Sequence, residues 1–147
     1  MTLQISERLR ESLEPDTTLT LPFELRQKSR LLTRLDNGET VALFLPRGSI
    51  LRQDDLLKTT TGLVVRINAA LEVVSTATTG EPLRLARACY HLGNRHVLLQ
   101  IGVNWLRYLH DPVLDNLVRE LGLVVIKEHA PLEPETGAYG GGHPHGH

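Results

Sequence analysis

The chain has 147 residues, 41% of them hydrophobic and 22% charged, a composition typical of a globular protein with one ordinary domain or two small ones. A formal net charge of −1 provides no strongly basic surface for nucleic acid, and no apolar run approaches the roughly 20 residues of a membrane span. Because Cys89 is the single cysteine, an intramolecular disulfide framework is excluded, and with no signal-peptide pattern we expect a cytoplasmic protein.

The first half of the chain is predicted to consist of short strands and turns. Asp36-Asn37-Gly38 separates Leu31-Leu32 from the run Val41 to Leu45, and an Asn-Gly pair favours the positive φ angles of a hairpin turn. Pro46-Arg47-Gly48 should end that strand, and Leu63 to Ile67 is a further β-branched run. These signals predict an N-terminal all-β domain.

Helical spacing begins in the second half, between Glu81 and Leu92. Pro82 suits the first turn of a helix, and Gly93 is expected to close it in the left-handed conformation. The apolar positions lie at i, i+3, i+4 and i+7, namely Leu85, Ala88, Cys89 and Leu92.

A second helix is predicted from Asp111 to Leu121. Asp111 is a good N-cap, Pro112 suits the first helical position, and Gly122 follows the last turn. The apolar stripe comprises Val113, Leu114, Leu117, Val118 and Leu121.

Short strands are expected before, between and after these helices, with Leu123 to Ile126 as the last. The order β, α, β, β, α, β is that of an α+β ferredoxin-like domain. We place the domains at 1–74 and 75–131, followed by a flexible, His-rich C-terminal tail over 132–147 whose proline, glutamate and glycine content leaves little surface to bury. Because each domain is small, contact with a second copy would add useful burial, and we expect a dimer.

The chain ends in three histidines, His143, His145 and His147, spaced two residues apart among glycines and a proline. Neutral imidazole binds borderline metals such as nickel, copper and zinc, and its ordinary pKa of about 6.5 keeps it available near neutral pH. The spacing is therefore typical of metal binding.

His96 and His110 bracket a predicted hairpin that begins at Val97. A two-residue turn at Gly102-Val103 places His96 on the polar face with Gln100 and Arg107, and a metal there would need ligands from elsewhere, such as a symmetry-related His96. A three-residue turn would instead place His96 directly opposite His110. We favour the first register, and leave open whether His110 is a ligand or packs against the following helix.

Motifs of hydrolases, nucleotide-binding enzymes and dithiol oxidoreductases are absent from the sequence. A site made of symmetry-paired and tail histidines would be exposed and readily exchanged, unlike a catalytic metal site with three fixed protein ligands. Exchange suits a carrier, so we expect no enzymatic activity.

Four segments resemble those of a known family, the urease accessory proteins often called urease accessory protein E. The segments are Leu43-Phe44-Leu45-Pro46-Arg47-Gly48, Tyr90-His91-Leu92-Gly93-Asn94-Arg95-His96, Leu106-Arg107-Tyr108-Leu109-His110-Asp111 and Pro131-Leu132-Glu133-Pro134-Glu135-Thr136-Gly137-Ala138-Tyr139. The resemblance covers nearly the whole chain, and the second and fourth segments are together too specific to arise by chance.

The resemblance implies a nickel metallochaperone for urease active-site assembly. It implies an N-terminal β domain that binds protein partners, a ferredoxin-like domain that dimerises, and nickel bound at the homodimer interface by His96 of each chain. Tail histidines would complete or supplement that site. Implied partners are the urease apoprotein complex and the urease accessory GTPase.

Two departures from the family bear on metal binding. Pro112 stands where some members have a second histidine after the one matching His110, which weakens a site built on that pair. Three tail histidines, rather than a long run, imply delivery of few ions. The alternative is a general histidine-based buffer of copper, zinc or nickel, or a regulatory interaction module, which would not activate apo-urease.

Overall fold

A computed structural model describes residues 2–136 and divides them into two compact units, one comprising the residues up to Ala70 together with Thr136, the other Leu71–Glu135. Among the residues described, no helix is both long and apolar enough to cross a membrane.

In the residues that the structure describes, the first unit is built around one six-stranded sheet with a single short helix. Its elements are β1 (Leu3–Leu9), β2 (Thr17–Leu21), α1 (Phe23–Arg26), β3 (Arg30–Arg34), β4 (Thr40–Phe44), β5 (Leu56–Thr59) and β6 (Val64–Ala69). The strand order is β2-β6-β5-β1-β4-β3, with the β1–β4 and β2–β6 pairs parallel. The prediction of a sheet-rich N-terminal part is confirmed, although α1 was not predicted.

The predicted hairpin at Asn37-Gly38 is present. β3 and β4 pair antiparallel, and Leu35 and Glu39 close the loop, where the Leu35 N–H donates to the Glu39 carbonyl at 2.8 Å. Gly38 has φ 95, so the connection has three residues ending in a left-handed glycine, a common form of hairpin. The core beneath the sheet consists of aliphatic side chains, among them Ile5, Val41 and Ile67, each fully buried.

The second unit contains four strands and two helices. Its elements are β7 (Leu71–Thr78), α2 (Pro82–Asn94), β8 (Gln100–Gly102), β9 (Trp105–Leu109), α3 (Pro112–Glu120) and β10 (Val124–Pro131). The antiparallel sheet has the order β10-β7-β9-β8. An α/β organisation of the second half, as predicted, is therefore observed.

The two predicted apolar stripes meet over one face of this sheet. Ala88 and Leu92 of α2 and Val118 of α3 are fully buried against Leu106 and Tyr108 of β9. At the start of α3 the Asp111 carboxylate accepts from the N–H groups of the second and third helical residues at 2.9 and 3.4 Å, so the predicted N-cap is confirmed.

The second unit in the structure extends a few residues beyond the predicted domain bounds at both ends. The strand β7 begins at Leu71 and pairs along its whole length with β10, so residues 71–74 belong to the second unit and not to the first. The tail was predicted to begin at residue 132, but Leu132 is fully buried with Val74 and Ala130, and the Glu135 N–H donates to the Leu99 carbonyl at 2.7 Å. A single apolar residue inside a polar segment was too weak a signal to locate this packing.

Candidate metal site

His96 follows Arg95, the C-cap of α2, and takes a left-handed conformation, with φ 58. Its N–H donates to the Gly93 carbonyl at 3.0 Å, and the Val97 N–H donates to the Leu92 carbonyl at 3.2 Å. These two bonds form a Schellman motif, in which the residue after the C-cap is left-handed and most often glycine. His96 therefore ends the helix, and the prediction that Gly93 ends it is wrong, because Gly93 lies within the last turn.

A non-glycine residue in the left-handed region is disfavoured by roughly 1–2 kcal/mol, because its Cβ crowds the following carbonyl. Here the cost is offset by the two hydrogen bonds of the motif and by the packing of Val97 against the core that includes α2. The imidazole itself is exposed. A left-handed residue whose exposed side chain adds no burial is a candidate for a functional role.

The segment from Val97 to Leu99, predicted as strand, has no strand structure, and β8 begins only at Gln100. The hairpin turn is Val103-Asn104, with Asn104 at φ 65, rather than Gly102-Val103. Since Ile101 pairs with Leu106 and Gln100 with Arg107, the predicted faces of these residues hold although the turn lies one residue later. The alternative in which His96 and His110 face each other across the ladder is wrong.

His110 follows β9 and is held on both main chain and side chain. Its N–H donates to the Val73 carbonyl at 3.1 Å. Its ring nitrogen Nδ1 lies 3.0 Å from the Ser75 Oγ and 3.3 Å from Asp115 Oδ2, while the side chain is one quarter exposed. Both recorded contacts fall on Nδ1, so Nε2 is the nitrogen with which this ring would bind a metal.

The carboxylate beside His110 is itself buried. Asp115 is 4% exposed, and its Oδ1 accepts from the Tyr108 hydroxyl at 2.7 Å. Burial raises the pKa of Tyr108 above its ordinary value of 10, and the hydrogen bond to Asp115 and the charge of Asp115 raise it further. These effects outweigh the lowering of that pKa by Ser75 and Arg119. Tyr108 therefore remains a neutral donor across the physiological pH range.

Ser75, Tyr108 and Asp115 were not identified from the sequence as functional residues. One signal was available: Asp115 lies three residues before Val118, on the face of α3 that the apolar stripe marks as buried. A buried carboxylate usually has specific partners. Which strands supply those partners depends on the sheet register, since Ser75 and Tyr108 are paired across β7 and β9.

The described residues do not assemble a complete metal site. Within residues 2–136, no three histidine, cysteine, aspartate or glutamate side chains are grouped so that they could share an ion. His143, His145 and His147 lie outside the described residues. A metal held by either His96 or His110 would therefore need ligands from elsewhere.

Cys89 lies on the α2 face that packs on the core, and burial, followed by the charge of Glu135, raises the pKa of its thiol. A soft thiolate ligand is therefore disfavoured at this position. The nitrogen ligands that remain suit nickel, copper or zinc.

Comparison with known proteins matches both units to one family. The model described as UreE urease accessory protein, N-terminal domain, matches residues 4–70, and that described as UreE urease accessory protein, C-terminal domain, matches residues 72–147. Together these matches cover nearly the whole chain.

Relatives that carry the name urease accessory protein UreE are similar over most of their length. The Alkalilimnicola ehrlichii protein is 58% identical over 139 residues, which are 95% of this chain and 85% of that protein. The Vibrio parahaemolyticus protein is 55% identical over 86% of this chain and 82% of its own length. The Proteus mirabilis protein is 52% identical over 87% of this chain and 80% of its own length.

Proposed function

The chain belongs to the UreE family of urease accessory proteins, and from this premise we propose that it is a nickel metallochaperone. It binds Ni²⁺ at a homodimer interface and delivers the ion for assembly of the urease active site. Membership of a family of accessory proteins also means that the chain acts in urease maturation and is not an enzyme.

The observation that carries the nickel proposal is the exposed, left-handed His96 at the end of α2. Glycine would satisfy this backbone at lower cost, so the imidazole is the reason to place histidine there. A single imidazole makes only a weak site. A two-fold axis beside α2 would add a second His96 with no further sequence requirement, and two such ligands can release the ion readily.

Exposed apolar side chains on α2 and just after His96 support this interface. Leu83 and Tyr90 lie seven residues apart on α2 and are 61% and 66% exposed, and Leu98, two residues after His96, is 42% exposed. Large exposed apolar groups on one helix face and its continuation are typical of a surface that is buried in an oligomer.

The remaining ligands are proposed from the same chemistry. His110 adds an imidazole that binds the ion through Nε2. Because the side chain of Pro112 has no atom that can bind a metal, this site depends on ligands other than a neighbouring histidine. His143, His145 and His147 complete or supplement the interface site. Zinc or copper can occupy the same histidines, and copper should bind them more tightly than nickel in vitro, so delivery rather than affinity identifies the physiological metal.

We further propose that the second unit has the ferredoxin-like fold, which the order β, α, β, β, α, β supports, and that it dimerises. The N-terminal unit would contact the urease apoprotein complex and the accessory GTPase. We propose that the protein acts in the cytoplasm, as the compartment in which the urease active site is assembled.

The test compares full-length protein with His96→Ala by calorimetric titration of Ni²⁺ and by activation of apo-urease. We expect His96→Ala to abolish the tightest site and to lower activation. His91→Ala is the matched control, since His91 is also exposed on α2, five residues earlier, and should bind as the parent does. Unchanged binding in His96→Ala would overturn the proposal.

Two further measurements separate the interface from the tail. Light scattering of the parent should give a dimer mass, and removal of residues 137–147 should lower the stoichiometry or affinity of nickel while leaving the dimer intact. A protein that binds nickel but fails to raise urease activation would instead be the general metal buffer.

A further inference from the structure

A buried polar network lies directly beneath His110. Ser75 and Tyr108 are fully buried on the face of the sheet on which the helices pack, and Asp115 of α3 is nearly fully buried. The network runs from the Tyr108 hydroxyl to Asp115 Oδ1, and from Asp115 Oδ2 to His110 Nδ1, to which Ser75 Oγ also lies close. Carboxylates are rarely buried unless they are paired, so this position requires an explanation beyond packing.

The two oxygens of Asp115 have different neighbours. The hydroxyl of Tyr108 can donate to Oδ1, which leaves Oδ2, 3.3 Å from Nδ1, as the acceptor that faces the histidine. An acceptor at that position favours a proton on Nδ1. The neutral ring then carries its lone pair on Nε2, on the side away from the network.

This geometry does not correspond to a Ser-His-Asp nucleophile. In such a triad the aspartate and the serine contact different ring nitrogens, whereas here Ser75 and Asp115 both lie against Nδ1. The arrangement instead matches that of metal-binding histidines, whose second nitrogen donates to a carboxylate that fixes the tautomer and the orientation of the ring.

We propose that Asp115, supported by Tyr108 and Ser75, is a positioning residue that holds His110 as the Nδ1–H tautomer and presents Nε2 to a divalent cation. The inference rests on the proposed function for the identity of that cation, nickel. Asp115 itself does not touch the ion. The backbone contributes as well, because the His110 N–H is bonded to Val73 and the next residue, Asp111, is fixed as the N-cap of α3.

Asp115→Asn tests the role of the carboxylate. The Tyr108 hydroxyl remains a donor, so the oxygen of the introduced carboxamide should turn toward that hydroxyl and its NH2 group toward Nδ1. A donor at that position forces the proton onto Nε2 and blocks the ligand nitrogen. The change is nearly isosteric, so it alters the hydrogen-bond pattern with little change in volume.

The first readout needs no metal. Long-range ¹⁵N–¹H NMR of the full-length protein should show His110 as the Nδ1–H tautomer, and the Asp115→Asn variant should show it as Nε2–H. Tyr108→Phe is the matched control, since it removes a hydroxyl from the same network but keeps the carboxylate beside Nδ1, and its tautomer should match the parent. An Nε2–H tautomer in the parent would overturn the proposal whatever the variants do.

The second readout is nickel affinity, measured with NiCl2 on full-length chain that carries His96→Ala and alanine at His143, His145 and His147. In this background Asp115→Asn should weaken binding by about 10- to 100-fold, as loss of an outer-shell partner does. His110→Ala should remove the same site. Equal affinity of the background and its Asp115→Asn derivative would count against the proposal, as would retained binding in His110→Ala.

Failure of this inference and failure of the proposed function are distinguishable. The tautomer is read in metal-free protein with His96 intact, so it does not depend on nickel delivery. Conversely, loss of apo-urease activation in His96→Ala does not depend on Asp115.

Discussion

His96 and Gly122 occupy equivalent positions at the ends of the two helices of the second unit. Each is the left-handed residue that follows the C-cap, with φ 58 for His96 and φ 97 for Gly122. After α3 the Gly122 N–H donates to Arg119 at 2.9 Å and the Leu123 N–H to Val118 at 3.3 Å, the same pair of bonds that closes α2. One motif is thus built once with the residue that backbone energetics favour and once with a histidine.

His96→Gly should therefore stabilise the protein while removing the proposed metal ligand. Relief of the left-handed strain stabilises the folded state, and the greater flexibility of glycine in the unfolded chain offsets part of that effect. The net gain in the free energy of unfolding is about 1 kcal/mol. Urea denaturation of metal-free protein measures it. His96→Ala is the control, because alanine keeps the strain and should leave stability nearly unchanged.

Gly122→Ala is the converse change and should destabilise. Besides the backbone strain, a Cβ at this position would lie 2.8 Å from Nε of Arg84, whose side chain would have to shift. We expect a loss of about 1 kcal/mol or more. Stability equal to the parent would show that the two helix ends are not energetically comparable.

Gly102→Ala should be among the most damaging small changes in the second unit. Gly102 is paired with Trp105 across the hairpin, and a Cβ would lie 2.1 Å from the indole ring, over which the Arg107 guanidinium stacks at 4.7 Å. Displacing the ring should cost about 1–3 kcal/mol. Because Trp105 is the only tryptophan, its fluorescence should also change.

Gly93→Ala is the matched control for Gly102→Ala. Gly93 lies within α2, and nothing approaches within 4 Å of where its Cβ would be. Alanine at a helical site without crowding should raise stability by roughly 0.5–1 kcal/mol. A loss of stability in this variant would indicate that α2 needs the glycine for another purpose.

Tyr108 should make the protein sensitive to alkali. Because the folded state raises the pKa of Tyr108, its stabilising contribution is complete below the ordinary value of about 10 and is lost as pH rises above it. We expect the free energy of unfolding to fall progressively as pH rises above about 10, and Tyr108→Phe to flatten that fall. Tyr90→Phe, at a site 66% exposed, should retain the slope of the parent.

Leu132→Ala should destabilise the second unit even though residue 132 was predicted to begin a tail. The side chain is fully buried with Val74 and Ala130, and truncating a buried leucine typically costs about 2–5 kcal/mol. Leu71→Ala, at a site 68% exposed on the same sheet, should cost far less. Equal effects in thermal unfolding would contradict the assignment of Leu132 to the core.

The sequence by itself determined the elements whose signals are local. The apolar stripes of α2 and α3, the Asp111 N-cap and the hairpin around Gly38 each depend on residues within a few positions of one another, and all are present. The resemblance of the Gly93 to His96 segment to a known family likewise identified His96 as a candidate ligand.

Only the tertiary structure decided what depends on contacts between distant segments. The helix α2 is closed by His96 and not by the predicted Gly93, because Val97 packs into the core and completes the hydrogen-bonded motif. These contacts outweigh the preference for glycine. The setting of His110 required Ser75 and Asp115, which are 35 residues before it and five after it, to be brought together by sheet register and helix packing. Local sequence patterns carry no information about that register, although the apolar stripe of α3 alone indicates that Asp115 is buried.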